Sequence, residues 1–250
     1  MEYITSSKNP LIAHVRKLQA DRAYRERCGE FVCDGQKLLG EALLWYPHLL
    51  TVIAAENVPC PELPETVRFV TVPESLMNSL STMKTPQGVV FTCALPKPQP
   101  LHITAGTLLL DRIQDPGNLG TILRTADAFG VPVVLTNGCA DAFSEKTVRA
   151  SMGAVFRTPP TSAPMDELLR CCAEQGLPLA ATALTPSAES ICTLPLHDYV
   201  TVIGSEGQGI CRQLLDASEK QIIIPMTPRC ESLNAAVAAA IVMWQMRRTD

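Results

Sequence analysis

Asp115-Pro116-Gly117-Asn118-Leu119-Gly120-Thr121-Ile122-Leu123-Arg124 follows the apolar run Thr107 to Ile113 and opens a helical stretch reaching Phe129. A strand-like run hands over to a helix-like run at this point. The same hand-over recurs at Gly204-Ser205-Glu206-Gly207-Gln208-Gly209, after the apolar run Tyr199 to Gly204. It recurs again at Ile224-Pro225-Met226, followed by Glu231-Ser232-Leu233-Asn234. In open α/β sheets ligands collect where strands end and helices begin, so the three segments predict one composite site.

Outward from these segments, strands are expected at 107–113, 131–136, 179–183, 199–204 and 221–225. Helices are expected at 119–129, 144–153, 164–175, 210–217 and 232–248. Strands apolar throughout and separated by helices predict a mostly parallel sheet covered on both faces, an α/β fold. Upstream, Asn9 as N-cap with Pro10 at the first helical position starts a helix that should bury Leu11, Val15 and Leu18. Short strands at 49–54, 67–72 and 88–94 complete a small α/β domain. Leu95-Pro96-Lys97-Pro98-Gln99-Pro100 carries prolines at alternate positions, which favours an extended, semi-rigid linker. The expected organisation is 1–95, a linker at 96–104, and 105–250.

Composition narrows the function classes. An apolar fraction of 46% in 250 residues is ample for buried cores. No apolar run reaches membrane-span length and no basic-then-apolar leader opens the chain, so cytoplasmic residence with no membrane partner is expected. The ten cysteines contain no C-x-x-C, and the four histidines show no ligand spacing, so reduced thiols and no structural metal are expected. A net charge of −4 argues against a general nucleic-acid coat, and no DNA partner is expected. Yet Lys8, Arg16, Lys17, Arg22, Arg25 and Arg27 crowd the first helix region against Glu2, Asp21 and Glu26 alone. That run is read either as a solvated face or as an RNA contact.

Taken together, the three hand-over segments resemble the SPOUT RNA methyltransferases, specifically the SpoU/TrmH-like group that methylates ribose 2′-hydroxyls with S-adenosylmethionine. The stretch Ile4 to Pro10, continuing to Phe31-Val32-Cys33-Asp34-Gly35, is similar to the small α/β RNA-binding domain that precedes the catalytic domain in part of the group. Residue patterns alone predict an unthreaded chain, since knots are very rare. The resemblance instead implies a C-terminal SPOUT domain whose parallel sheet ends in a deep trefoil knot. It also implies a homodimer through that domain and an RNA substrate, ribosomal before transfer RNA.

The resemblance implies that backbone at Gly204, Ile224 and Leu233 grips the donor. Ile203, Ser205, Gly207, Met226 and Ser232 would line the same pocket, with Thr182, Ala183 and Leu184 nearest the adenine. Glycines at 204, 207 and 209 let backbone approach a ligand, although a tight turn without a ligand explains such a run in isolation. Arg124 matches the arginine of the first motif. A salt bridge to Asp127 or Asp111 is the bland alternative. A guanidinium is effectively never deprotonated, so phosphate binding and stabilisation of developing alkoxide charge suit it better than proton abstraction. Asn118, Ser232 and Asn234 would position the ribose, with Asn118 and Ser232 alternatively serving as helix caps. Glu206, the only carboxylate of the second motif, takes a supporting role. Arg149 and Ser151 are expected to contact RNA phosphate, a surface ion pair being the alternative for Arg149. Pro228 stands where many relatives carry glycine.

The last helix should present Leu233, Val237, Ile241 and Trp244 on one stripe. Two other classes compete with the enzyme: a catalytically idle RNA-binding protein of the same fold, and a nicotinamide-dependent oxidoreductase. The latter lacks the early glycine fingerprint and ribose-binding acid.

Overall fold

The computed structural model describes residues 2–59, 61–227, 229 and 232–248. In chain order the first elements are β1 (Glu2–Tyr3), α1 (Pro10–Ala20), α2 (Arg22–Cys28), β2 (Glu30–Asp34), α3 (Gln36–Trp45), β3 (Leu49–Ala55), β4 (Arg68–Val72), α4 (Glu74–Leu80) and β5 (Val89–Ala94). There follow β6 (Leu108–Asp111), α5 (Pro116–Phe129), β7 (Val133–Thr136), α6 (Glu145–Ser151), α7 (Ala154–Arg157), β8 (Thr161–Ala163), α8 (Met165–Glu174) and β9 (Leu179–Thr182). The chain closes with β10 (Glu189–Ser190), β11 (Val200–Gly204), α9 (Arg212–Ala217), β12 (Lys220–Ile223) and α10 (Ala235–Arg247).

Contacts divide the chain into two compact units, Met1–Lys97 with Phe143–Arg157, and Pro98–Ala142 with Thr158–Asp250. The division falls in the proline-rich segment, but α6 and α7, expected with the second part, pack with the first. Aromatic packing is the reason. Phe31 meets Phe143 at 5.1 Å and Phe156 at 6.3 Å between ring centroids, and Phe156 also meets Tyr46 at 5.4 Å. The expected single helix over 144–153 stops at Met152, whose φ of 52° is left-handed, and restarts at Ala154.

The first unit holds a five-stranded mixed sheet in the order β1-β4-β3-β5-β2, with β5 antiparallel to both its neighbours. Asn9 caps α1 by accepting from the Leu11 N–H at 2.9 Å, with Pro10 in the first turn. The buried face is Ile12, Val15 and Leu18, so Ile12 rather than Leu11 takes the first core position. Asp21 ends α1 and caps α2, and Gly29, at φ 67°, stops α2.

The second unit holds a seven-stranded sheet in the order β10-β12-β9-β11-β6-β7-β8, every pairing parallel. It is the mostly parallel α/β sheet that the strand runs predict. Parallel pairing puts all carboxyl ends on one edge, so β6, β9, β11 and β12 deliver their following residues to the same side. β11 inserts between β6 and β9, and β12 between β9 and β10, strands already laid down in chain order. α10 packs on α5, with Trp244 6.0 Å from Phe129 and Arg247 bonded to the Gly130 carbonyl.

Candidate active site

A cavity of about 380 Å³ opens at the carboxyl ends of β9, β11 and β12. Thr182, Ala183, Leu184 and Thr185 line it from β9, and Ile203, Gly204, Ser205, Glu206, Gln208 and Gly209 from β11. Ile222, Ile223, Ile224 and Met226 line it from β12, and Ser232, Leu233, Ala235 and Ala238 from the start of α10. Mostly apolar walls with a few polar groups suit a small organic ligand, and the volume lies within the usual range of about 300–1,000 Å³.

Of the residues expected around the donor, Gly207 alone is absent from this lining. The glycines do different work. A Cβ on Gly204 would sit 2.3 Å from the Gly209 carbonyl carbon and 2.5 Å from the Ile210 nitrogen, so only glycine fits beneath the turn. Gly209 has φ 63°, and its N–H closes the turn on the Ser205 carbonyl at 2.9 Å. Gly207 faces open space.

At the rim, three residues distant in sequence meet. Glu206 Oε1 accepts from Asn118 Nδ2 at 2.9 Å, Asn234 Nδ2 at 2.8 Å and the Ala235 N–H at 2.9 Å. Asn234 Nδ2 also donates to Asn118 Oδ1 at 3.1 Å. The carboxylate thus gathers the first turns of α5 and α10, where a negative charge complements the helix dipoles.

Both asparagines occupy positions other than those expected. Asp115 caps α5, accepting from the Asn118 N–H at 2.8 Å, so the helix starts before Asn118 and frees that side chain. Asn234, not Ser232, caps α10, its Oδ1 accepting from Ala236 and Val237 while its Nδ2 reaches Glu206. An Asp-Pro pair ahead of the helical run was the available signal for the first cap.

Arg124 is exposed on α5 and does not line the cavity. It lies six residues beyond Asn118, about 9 Å along the helix axis. Neither expected carboxylate holds it: Asp111 accepts from Arg112, Thr136 and Cys211, and Asp127 from Thr158 Oγ1 at 3.1 Å. Among the described residues it forms no ion pair.

The basic residues of the first unit separate by burial. Lys8 is exposed; Arg16 is exposed and donates to Ser79 Oγ at 3.0 Å. Lys17 and Arg27 stand over the Tyr24 ring at 4.6 and 5.0 Å. Arg22 pairs with Glu26 at 2.8 Å. Arg25 corrects the expectation of RNA contact: it is 6% exposed, and its guanidinium satisfies the Leu18 and Gln19 carbonyls at the end of α1. Ser151 is likewise fully buried, bonded to the Val148 carbonyl at 2.7 Å. Arg149 pairs with Glu145 at 3.6 Å, the alternative weighed for it. Pro228, Cys230 and Glu231 lie outside the described residues.

α10 turns its small-residue face inward. Ala235, Ala236, Ala239, Val242, Met243 and Met246 are buried, while Val237 and Trp244 are 48% and 60% exposed. Small residues let α10 approach the sheet and α5 closely, which leaves the larger apolar stripe outside.

Residues 9–90 match the MRM3-like substrate binding domain, and residues 106–244 match the SpoU rRNA Methylase family. The chain is 31% identical to the 23S rRNA (guanosine(2553)-2′-O)-methyltransferase RlmP of Bacillus subtilis, over 99% of this chain and 100% of that protein. Among solved structures, a TrmH-family protein from Porphyromonas gingivalis superposes with a TM-score of 0.83 at 37% identity, covering 96% of this chain and 98% of its own. The rRNA methyltransferase of Sinorhizobium meliloti, solved bound to AdoMet, superposes with a TM-score of 0.86 at 29% identity, covering 98% and 97%. With these matches spanning both units and the site segments inside them, the chain belongs to the SpoU rRNA methylase family.

Proposed function

We propose that this protein transfers a methyl group from S-adenosylmethionine to a ribose 2′-hydroxyl in ribosomal RNA. The observation that carries the reading is the cavity at three parallel strand ends, roofed by a turn that only glycine at 204 allows, with the Asn118–Glu206–Asn234 cluster at its rim. The family membership and the AdoMet-bound relative support it. A tRNA substrate or an idle RNA-binding protein finds less support, because the chain spans a full-length rRNA methyltransferase from end to end.

The backbone at Gly204, Ile224 and Leu233 would hold the donor, with Ile203, Met226 and Ala183 against its apolar parts and Ser205, Thr182 and Ser232 as polar partners. The donor supplies an electrophilic methyl group on a sulfonium. The protein must then orient the hydroxyl and stabilise charge as its proton leaves. Asn118 and Asn234, fixed by Glu206, would orient the ribose, and Arg124, free of intramolecular ion pairs among the described residues, would bind the adjacent phosphate. A guanidinium stays protonated, so Arg124 acts as an electrostatic partner rather than a base.

Three further features belong to the same proposal. The exposed Val237 and Trp244, with half-buried Ile241 between them, would pair two copies of the chain. The C-terminal segment would form the trefoil knot expected from the resemblance, consistent with β11 and β12 inserting between earlier strands. The protein would act in the cytoplasm; among the described residues no helix is long and apolar enough to cross a membrane. Lys8, Arg16 and Lys17 would meet RNA from the first unit.

Mapping ribose methylation in ribosomal RNA from cells with and without this protein tests the reading. One 2′-O-methyl group should vanish on deletion, return with the wild-type chain and fail to return with Arg124→Ala, while donor binding by that variant persists. An unchanged methylation map would sink the proposal.

A further inference from the structure

The turn that roofs the cavity is held from behind by Arg112, which no step above uses. Arg112 follows the last residue of β6 and has φ 55°, a left-handed conformation that a side-chain-bearing residue adopts at a cost glycine avoids. Its N–H donates to Thr136 Oγ1 at 3.2 Å. Its side chain runs past Gly138, where a Cβ would meet Arg112 Cγ at 3.2 Å. The guanidinium then donates to Gln208 Oε1 at 2.8 Å and to the Gly209 carbonyl at 3.4 Å.

Asp111 seats this arm. It is 1% exposed, lies 3.3 Å from Arg112 Nε and Nη2, and also accepts from Thr136 Oγ1 at 3.2 Å and the Cys211 N–H at 2.7 Å. The end of β6 therefore grips the turn and the segment just after it: Arg112 holds Gln208 and Gly209, and Asp111 holds Cys211. Gln208 and Gly209 line the cavity, whereas Arg112 does not.

We infer that Arg112, seated on Asp111, is a positioning residue that keeps the Ser205–Gly209 turn in the shape the methyl donor requires. The inference rests on the donor-site reading above. Two bonds to the turn from a charge fixed by a buried carboxylate confine it more tightly than neutral bonds would.

Calorimetric titration of the purified full chain with S-adenosylmethionine, paired with steady-state methylation of an rRNA fragment, tests this. Arg112→Gly relieves the backbone strain but leaves buried Asp111 without its cationic partner, so thermal stability should fall, and titrations are run well below the variant's Tm, where the fold is kept. The variant's donor Kd and KM should rise about ten-fold or more, with kcat at saturating donor within about two-fold of wild type. Arg112→Lys keeps the charge on Asp111 and should recover part of the affinity. Gln208→Ala should weaken donor binding too, and combined with Arg112→Gly should add less than its separate effect. Wild-type donor affinity in Arg112→Gly, or a loss confined to kcat, overturns the inference and leaves the proposed function standing. Absence of donor binding by the wild-type chain overturns both.

Discussion

Replacing Gly204 by alanine would set a methyl carbon 2.3 Å from the Gly209 carbonyl carbon, where ordinary contact begins at 3.4 Å. The opposing atoms are backbone, so relief requires the Ser205–Gly209 turn to lift by about 1 Å rather than a side chain to rotate. Overpacking of this kind costs about 1–3 kcal/mol. Straining the Gly209 N–H to Ser205 carbonyl bond, 2.9 Å long, adds about 1 kcal/mol. A loss of about 2–4 kcal/mol corresponds to a Tm roughly 5–15 °C lower for a domain of this size. Because the lifted turn is the cavity wall, donor affinity should fall by about ten-fold or more as well.

Gly207→Ala is the internal control: nothing lies within 4 Å of its Cβ position, and the change should stay within about 0.5 kcal/mol. Thermal unfolding followed by Trp244 fluorescence, with Trp45 replaced by phenylalanine, reads the stability, and calorimetric titration with S-adenosylmethionine reads the affinity. If the two alanine variants behave alike in both measurements, the close packing under the turn is wrong and the donor pocket built on it falls.

Other expectations concern the rim, the outer face and pH. Glu206→Ala removes the acceptor shared by Asn118, Asn234 and Ala235, so methyl transfer should drop about ten-fold or more with the fold retained; full activity would remove the cluster from the mechanism. Trp244→Glu places a charge on the exposed stripe of α10 and should convert a dimer to monomer by sedimentation, whereas an unchanged sedimentation coefficient would place any self-association elsewhere. Burial, opposed by a hydrogen bond from Thr82 and assisted by the nearby Asp34 charge, raises the Glu145 carboxyl above its usual value of 4.5. A raised folded-state value means the folded chain holds the proton more tightly. That contribution is therefore full below about pH 4.5 and is lost as pH rises through the raised value. Urea midpoints followed by Trp45 fluorescence, with Trp244 replaced by phenylalanine, should fall over that window in wild type and less in Glu145→Gln. Equal slopes would show that Glu145 does not titrate as described.

Local chemistry wrote much of this protein into its sequence. Asn9-Pro10 begins a helix because a side-chain acceptor and a pre-set φ act within one turn. Apolar runs at 179–182 and 200–204 are strands of a parallel sheet because both faces are covered. The glycine-rich turn at 204–209 follows a strand end wherever the strand sits in the sheet. Those features need only near neighbours, so a linear reading reaches them, and with them most of the cavity lining.

What lay beyond that reading depends on strand order and burial. The insertion of β11 between β6 and β9 carries Glu206 to Asn118, and α10 then brings Asn234, 116 residues beyond Asn118, to the same Glu206 oxygen. Arg25 and Arg16 both read as basic helix positions, yet the α1–α2 junction buries the first and leaves the second outside. Phe143 and Phe156 draw α6 and α7 to the first unit through ring contacts that no periodicity encodes. Hydrogen-bonded turns and amphipathic faces are decided within a few residues. Desolvation and the meeting of distant polar groups are decided only when the sheet is assembled.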